Sequence, residues 1–156
     1  MRIIEKKLDL IFLILLIFII VGLPFGIRAY DRRTWHKNVP PGTKEFALTG
    51  HKQRGWILGR VYAYDAISFW KKSGPMKKPL IKVSKGDLVV LKLTSSDVVH
   101  GFSLKEFGVF ITEGIQPGKV TYVSFKADKV GTFTFSCNAI CGDNHKNMQG
   151  TLVVTA

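Results

Sequence analysis

Twelve consecutive residues, CNAICGDNHKNM from Cys137 to Met148, hold both cysteines of the chain, one of its four histidines and one of its three methionines. Two cysteines four apart can close a disulfide in an oxidising compartment. That reading leaves His145 and Met148 without a role. Zinc accepts Cys137, Cys141 and His145, but thioether sulfur is not a usual zinc donor and Met148 would stand idle. Thiolate, imidazole and thioether together form the soft donor set that selects copper. A mononuclear blue copper site uses one thiolate, two imidazoles and a weak axial thioether, whereas this segment supplies two thiolates. The natural use of the second sulfur is to bridge a second copper. Two such metals share an electron, which suits an electron-transfer centre better than a reaction chamber.

A two-metal centre needs a second imidazole, for which His36, His51 and His100 are available. His36 stands in a charged stretch before a Pro-Pro-Gly break, and His51 in TGHKQRG, a turn-like and solvent-facing context. His100 joins two apolar runs, DLVVLKLTSSDVV and GFSL, at a strand junction from which a side chain can be aimed at the end of a sandwich. His100 is therefore the expected fifth side-chain ligand.

The elements that must position these residues read as strands. EFALTG, WILGRVYAY, PLIKVS, DLVVLKLT, VVHGFSL, FGVFIT, KVTYVSFKA, GTFTFSC and GTLVVTA are short, rich in β-branched and aromatic residues, and separated by Gly- and Pro-containing turns. In GTFTFSC, Phe133, Phe135 and Cys137 alternate with Thr132, Thr134 and Ser136, which predicts that Cys137 leaves its strand on the apolar side. Nine such runs predict an all-β fold, an antiparallel Greek-key β-sandwich rather than a parallel α/β sheet. Residues 64–79, with four lysines and a Gly-Pro turn, interrupt the pattern as a long loop.

Ahead of the strands, Leu10 to Leu23 carries no polar side chain and the apolar character continues to Ile27. Eighteen helical residues span ~27 Å, close to the ~30 Å hydrocarbon thickness. The expected organisation is a tail over 1–9, a transmembrane anchor over 10–27 that Pro24 helps to end, a linker over 28–43 and a folded domain over 44–156. A cleaved secretory signal ending near Ala29 is the rival reading. Basic residues flank the run on both sides, so charge bias does not orient it. The site chemistry assigns the C-terminal domain to the extracytoplasmic face of the cell membrane.

Net charge is +12, and from Pro24 onward Lys and Arg outnumber Asp and Glu 20 to 9. No nucleic-acid motif accompanies this excess, so anionic membrane lipid or an acidic protein partner is expected and nucleic acid is not. There is no C-x-x-C-H haem-attachment motif and no evident nucleophile-base pair, so independent catalysis is not expected.

SSDVVHGFSL and CNAICGDNHKNMQGTLVV resemble the binuclear copper (CuA) domain of cytochrome c oxidase subunit II over roughly residues 80–156, more loosely from Trp56. The resemblance implies a cupredoxin-like β-sandwich with two copper ions, bridged by Cys137 and Cys141. It implies His100 and Met148 on one copper, and His145 with the backbone carbonyl of Ala139 on the other. Many relatives carry Glu at position 139, whose side chain also reaches a magnesium ion. Ala139 has no such group, so no magnesium is expected there. Tyr62 and Tyr64 resemble the family's aromatic entry region only as an aromatic-x-aromatic pair, and alternating sheet residues explain them equally well. The implied role is the electron-entry subunit of a cytochrome c oxidase-type oxidoreductase. It would pass electrons from a soluble cytochrome c or other carrier to a haem in the integral membrane subunit I. The family's usual donor is a basic cytochrome c on an acidic patch, so the basic charge here favours an acidic donor. A stand-alone anchored shuttle, a CuA subunit of a nitric or nitrous oxide reductase, and a C-x-x-x-C copper chaperone or thiol reductase are the alternatives.

Overall fold

A computed structural model describes residues 2–35, 39–61, 77–142 and 144–156. His36, Tyr62, Tyr64 and most of the 64–79 loop lie outside them. The chain forms two compact units, Met1–Val39 and Pro40–Ala156.

The first unit is one helix, α1 (Arg2–Trp35), with an apolar span over Lys6–Tyr30. It runs through Pro24 instead of ending there. A proline lacks one N–H and crowds the preceding turn, yet such residues are tolerated within apolar helices when neighbouring turns take up the freed groups. Leu, Ile, Val and Phe side chains cover α1 on all sides and are exposed throughout the span. A helix apolar all round belongs in a protein core or in lipid.

Among the described residues of the second unit, nine strands form two sheets: β1 (Lys44–His51), β2 (Gly55–Leu58), β3 (Leu80–Ser84), β4 (Leu88–Ser95), β5 (His100–Leu104), β6 (Val109–Ile115), β7 (Thr121–Lys126), β8 (Gly131–Ser136) and β9 (Gln149–Thr155). One sheet has the order β2-β1-β4-β7 and the other β3-β9-β8-β5-β6. The expected antiparallel pattern needs one correction, because β1 pairs with β4 and β3 with β9 in parallel. Alternation of apolar residues sets which face of a strand is buried but not the direction of its neighbour.

The core lies between the sheets. Leu48, Leu91 and Leu93 from the first sheet meet Ile81, Phe102, Phe135 and Leu152 from the second, all essentially inaccessible. Phe102 links the layers, with Trp56 edge-on at 5.4 Å and Phe135 at 5.5 Å. On the other face of β4, Lys92 is only 3% exposed and its ammonium lies 2.5 Å from Glu45 on β1.

The pairing brings five strand ends to one end of the sandwich. β5 begins there with His100, β8 ends there just before Cys137, and β9 begins there just after Met148. β1 ends and β2 begins there, around the His51–Gly55 turn.

Candidate metal centre

Cys137 follows the last residue of β8, and its backbone N–H donates to the Met148 carbonyl at 3.0 Å. That bond closes the loop at its base and sets the two outer sulfur residues side by side. Within the loop, His145, Lys146 and Asn147 form one 3-10 turn, with the Met148 N–H donating to the His145 carbonyl at 3.0 Å. Asn144 anchors the loop to the β1–β2 turn, its Nδ2 donating to the Gln53 carbonyl at 2.7 Å.

These constraints gather the expected ligands. The Cys137 and Cys141 sulfurs are free thiols 3.6 Å apart. Cys141 Sγ lies 3.7 Å from His145 Nδ1 and 3.6 Å from Met148 Sδ, and Cys137 Sγ lies 3.1 Å from the Ala139 carbonyl oxygen. One ligand atom from each of His100, Cys137 and Cys141 falls within 4.8 Å of the others, and all three residues are buried. His51, on the outer part of β1, is 3.7 Å from Asp97 and does not join this group.

His100 shows how its ring is aimed. Its Nε2 is 2.9 Å from Asp97 Oδ1, and its Nδ1 is buried with no hydrogen-bond partner. A buried ring nitrogen rarely stays unsatisfied, and a carboxylate on one nitrogen with a metal on the other is a common arrangement for ligating histidine. The orphaned nitrogen and the two sulfurs therefore fit a soft metal ion, copper foremost among them. Asp97 lies in SSDVVHGFSL, and its place three residues before His100 is the one sign of this role in the sequence. It accepts from the backbone N–H groups of Val98 and Lys52 at 2.7 Å each.

Two glycines make room. A Cβ on Gly50 would lie 2.6 Å from His100 Cδ2 and 3.1 Å from Met148 Cε, and a Cβ on Gly101 would lie 2.8 Å from the Ala139 nitrogen. The Gly101 N–H donates to Cys137 Sγ at 3.3 Å, so the backbone of β5 reaches the sulfur directly.

The thiols are electrostatically unequal. Burial pushes Cys137 up, but the His100 ring, the backbone at Ala139 and Gly101 and the Cys141 thiol outweigh it and bring it down to about 6. Cys141 is pushed up to about 12 by burial and by the neighbouring Cys137 thiolate. Burial disfavours charge on His100, yet Cys137 and Asp97 hold it above the ordinary imidazole range. Burial also opposes charge on Asp97, but the Lys52 N–H, the His100 ring and the Val98 N–H hold it below its usual value. Burial lowers His51, against the pull of Asp97. One thiolate, paired with one imidazole and flanked by a second thiol, is ready to take a cation.

A two-sheet β-sandwich with a Cys, His and Met cluster at one end is the architecture of copper-binding electron-transfer domains. Residues 77–156 match the family model described as cytochrome C oxidase subunit II, periplasmic domain, and the chain belongs to that family. The family implies copper binding. Over 74 residues, 47% of this chain and 53% of the relative, it is 40% identical to cytochrome c oxidase subunit 2 of Thermus thermophilus. It is 32% identical over 144 residues to the alternative cytochrome c oxidase subunit 2 of Bradyrhizobium diazoefficiens, covering 78% of this chain and 51% of the relative. The chain spans about half the length of these curated relatives. Among solved structures, it is similar to the periplasmic domain of subunit II of cytochrome oxidase of Bradyrhizobium japonicum, with 27% identity and a TM-score of 0.56. That match covers 76% of this chain and 88% of the other. A chain of a heme-copper terminal oxidase dimer matches over 96% of this chain and 97% of its own, with 23% identity and a TM-score of 0.54, and shares the fold.

Proposed function

We propose that the chain is the electron-entry subunit of a haem-copper terminal oxidase, holding a binuclear CuA centre at the end of its β-sandwich. The observation that carries this reading is the pair of free thiols 3.6 Å apart, with a thioether and the imidazole of His145 beside Cys141 and the orphaned Nδ1 of His100 close by. Cys137, Cys141, His100, His145, Met148 and the carbonyl of Ala139 would hold the ions. Copper held there would supply one-electron chemistry, accepting and releasing a single electron. The protein's part is to hold the ligands in place, keep Cys137 ionised beside His100, and bury the thiols from water. Ala139 offers no carboxylate for a magnesium ion.

The chain would take electrons from a soluble carrier, an acidic one given the basic surface, and deliver them to haem in an integral membrane subunit I. The helix α1 would anchor it in the cell membrane with the sandwich on the extracytoplasmic side. Membership of the subunit II family and the membrane-length helix support this arrangement.

The test is copper content with visible and electron paramagnetic resonance spectra of the full chain in detergent. Two coppers per chain and hyperfine structure from an electron shared by two nuclei are expected, and a haem-bearing partner should co-purify from native membranes. One copper with a blue spectrum would overturn the binuclear assignment. Two coppers without a haem partner would leave a stand-alone shuttle.

A further inference from the structure

Beside the metal loop lies a groove of about 390 Å³, walled by the β1–β2 turn, the 3-10 turn that carries His145, and the segment leading into β3. The charged residues of its described lining are all of one sign. Arg54, Lys77 and Lys78 contribute, the rest of the described lining is amide side chains and Trp56, and no carboxylate is among the described lining residues. Lys77 and Lys78 are exposed. Lys78 Nζ donates to the amide oxygen of Gln149 at 3.2 Å, a neutral acceptor that orients the ammonium without cancelling its charge. Lys52 and Lys146 are exposed nearby, Lys52 beside Gly142 and Lys146 within the 3-10 turn.

The groove is also close to the ligands. Trp56 in its wall is 2% exposed, and its ring centroid is 6.2 Å from that of His100. Asn144 and Asn147, which also line it, bracket His145. A molecule seated there would be separated from the cluster by about one layer of side chains. Cations gathered at the mouth of a site steer negatively charged partners toward it and set their orientation.

We propose that this groove is the docking face for a soluble one-electron carrier whose own redox centre is rimmed by carboxylates, the carboxylates pairing with Lys77 and Lys78. The inference rests on the electron-transfer reading above and adds the face and the chemistry of the donor. In the reaction one electron leaves the carrier's ferrous haem, which becomes ferric, and the copper-loaded chain takes it up. No bond forms or breaks and no proton moves.

The probes are horse cytochrome c, which is basic, and the same protein succinylated at its lysines, which is acidic. Binding of each to the full chain in neutral detergent is measured with and without copper, and electron transfer to the copper-loaded chain is followed by stopped flow over a range of ionic strengths. The succinylated carrier should bind and react about tenfold or more better than the native one at low salt, with the advantage fading as salt screens it. The K77E/K78E double variant should lose about tenfold of that binding and rate. K85E/K126E makes the same change in net charge at the opposite end of the sandwich and should lose less than about twofold. Equal losses in the two double variants, or equal reaction of both carriers without salt dependence, would overturn the docking face while leaving electron transfer intact. Salt-sensitive binding lost only in K77E/K78E, with no electron passed after copper loading, would keep the face and remove the electron-transfer reading.

Discussion

At the residue scale, Asp97 carries more of the site than its exposure suggests, because it fixes which nitrogen His100 turns toward the sulfurs. Replacing it with Asn keeps the shape and removes the charge. Copper affinity of Asp97→Asn should fall ~10–100-fold, read by competition with a chelator, as for other partners of ligating histidines. Its folded pKa is depressed, so the stability it contributes is present above the carboxylate's unfolded value near ~4 and is lost as pH falls through the lower folded value. Unfolding free energies from denaturant melts of copper-free wild type and Asp97→Asn should therefore differ near neutrality, by about 1.5–3 kcal/mol for a hydrogen bond to a charged group, and converge in strong acid. The thiols give a second prediction. Ultraviolet absorbance of the copper-free chain should reveal one thiolate appearing near pH 6, against about 8.5 for a free cysteine, and the other only toward about 12. His100→Ala should move the first transition upward. Near neutral pH, copper loading should then release protons from both Cys141 and the raised His100. The candidate cluster of Cys137, Cys141, His145 and Met148 was readable from sequence because a soft donor set packed into one loop has few other uses. Asp97 was not, because a carboxylate in a Ser-Asp turn looks the same whether it faces water or a histidine.

At the scale of elements, the loop from Cys137 to Met148 is held by what surrounds it as much as by its own turn. β1 approaches it so closely that Gly50 has space for no side chain, with the His100 ring and the Met148 methyl where a Cβ would go. Gly50→Ala should cost about 1–3 kcal/mol by overpacking, measured by denaturant melt of the copper-free chain. It should also reduce copper content or distort the spectrum, although Gly50 bears no ligand. An unchanged spectrum with full copper loading would show that the ring has slack. Such a constraint is invisible in sequence, where Gly50 in ALTGHKQRG reads as a turn. The strands themselves were legible, since β-branched and aromatic runs between Gly and Pro turns do not fit a helix. Their neighbours were not. The parallel pairs β1–β4 and β3–β9 depend on long-range contacts that no local pattern encodes, and the helix passing through Pro24 depends on a span apolar enough to tolerate it.

At the scale of the whole molecule, the chain joins a span that exposes Leu, Ile and Phe on every side to a sandwich that buries His100, Cys137, Cys141 and Met148 and leaves His145 and Ala139 half-buried. The span of the first unit is apolar on every side, which fits the proposed membrane anchor. The full chain should stay in the membrane pellet after alkaline extraction, and intact-mass measurement should show that the residues before Ala29 are retained. Loss of those residues, with the sandwich released in the soluble fraction, would replace the anchor with a cleaved signal. Arginine in the middle of the span costs ~2.5–3.5 kcal/mol of insertion per residue. Leu15→Arg with Ile19→Arg, one turn apart, should therefore shift much of the chain out of the pellet. Pro40–Ala156 is compact on its own, so a fragment of those residues should be soluble and give the same copper spectrum as the full chain. A fragment that folds but binds no copper would mean that the first unit helps to form the site, which no ligand assigned here requires.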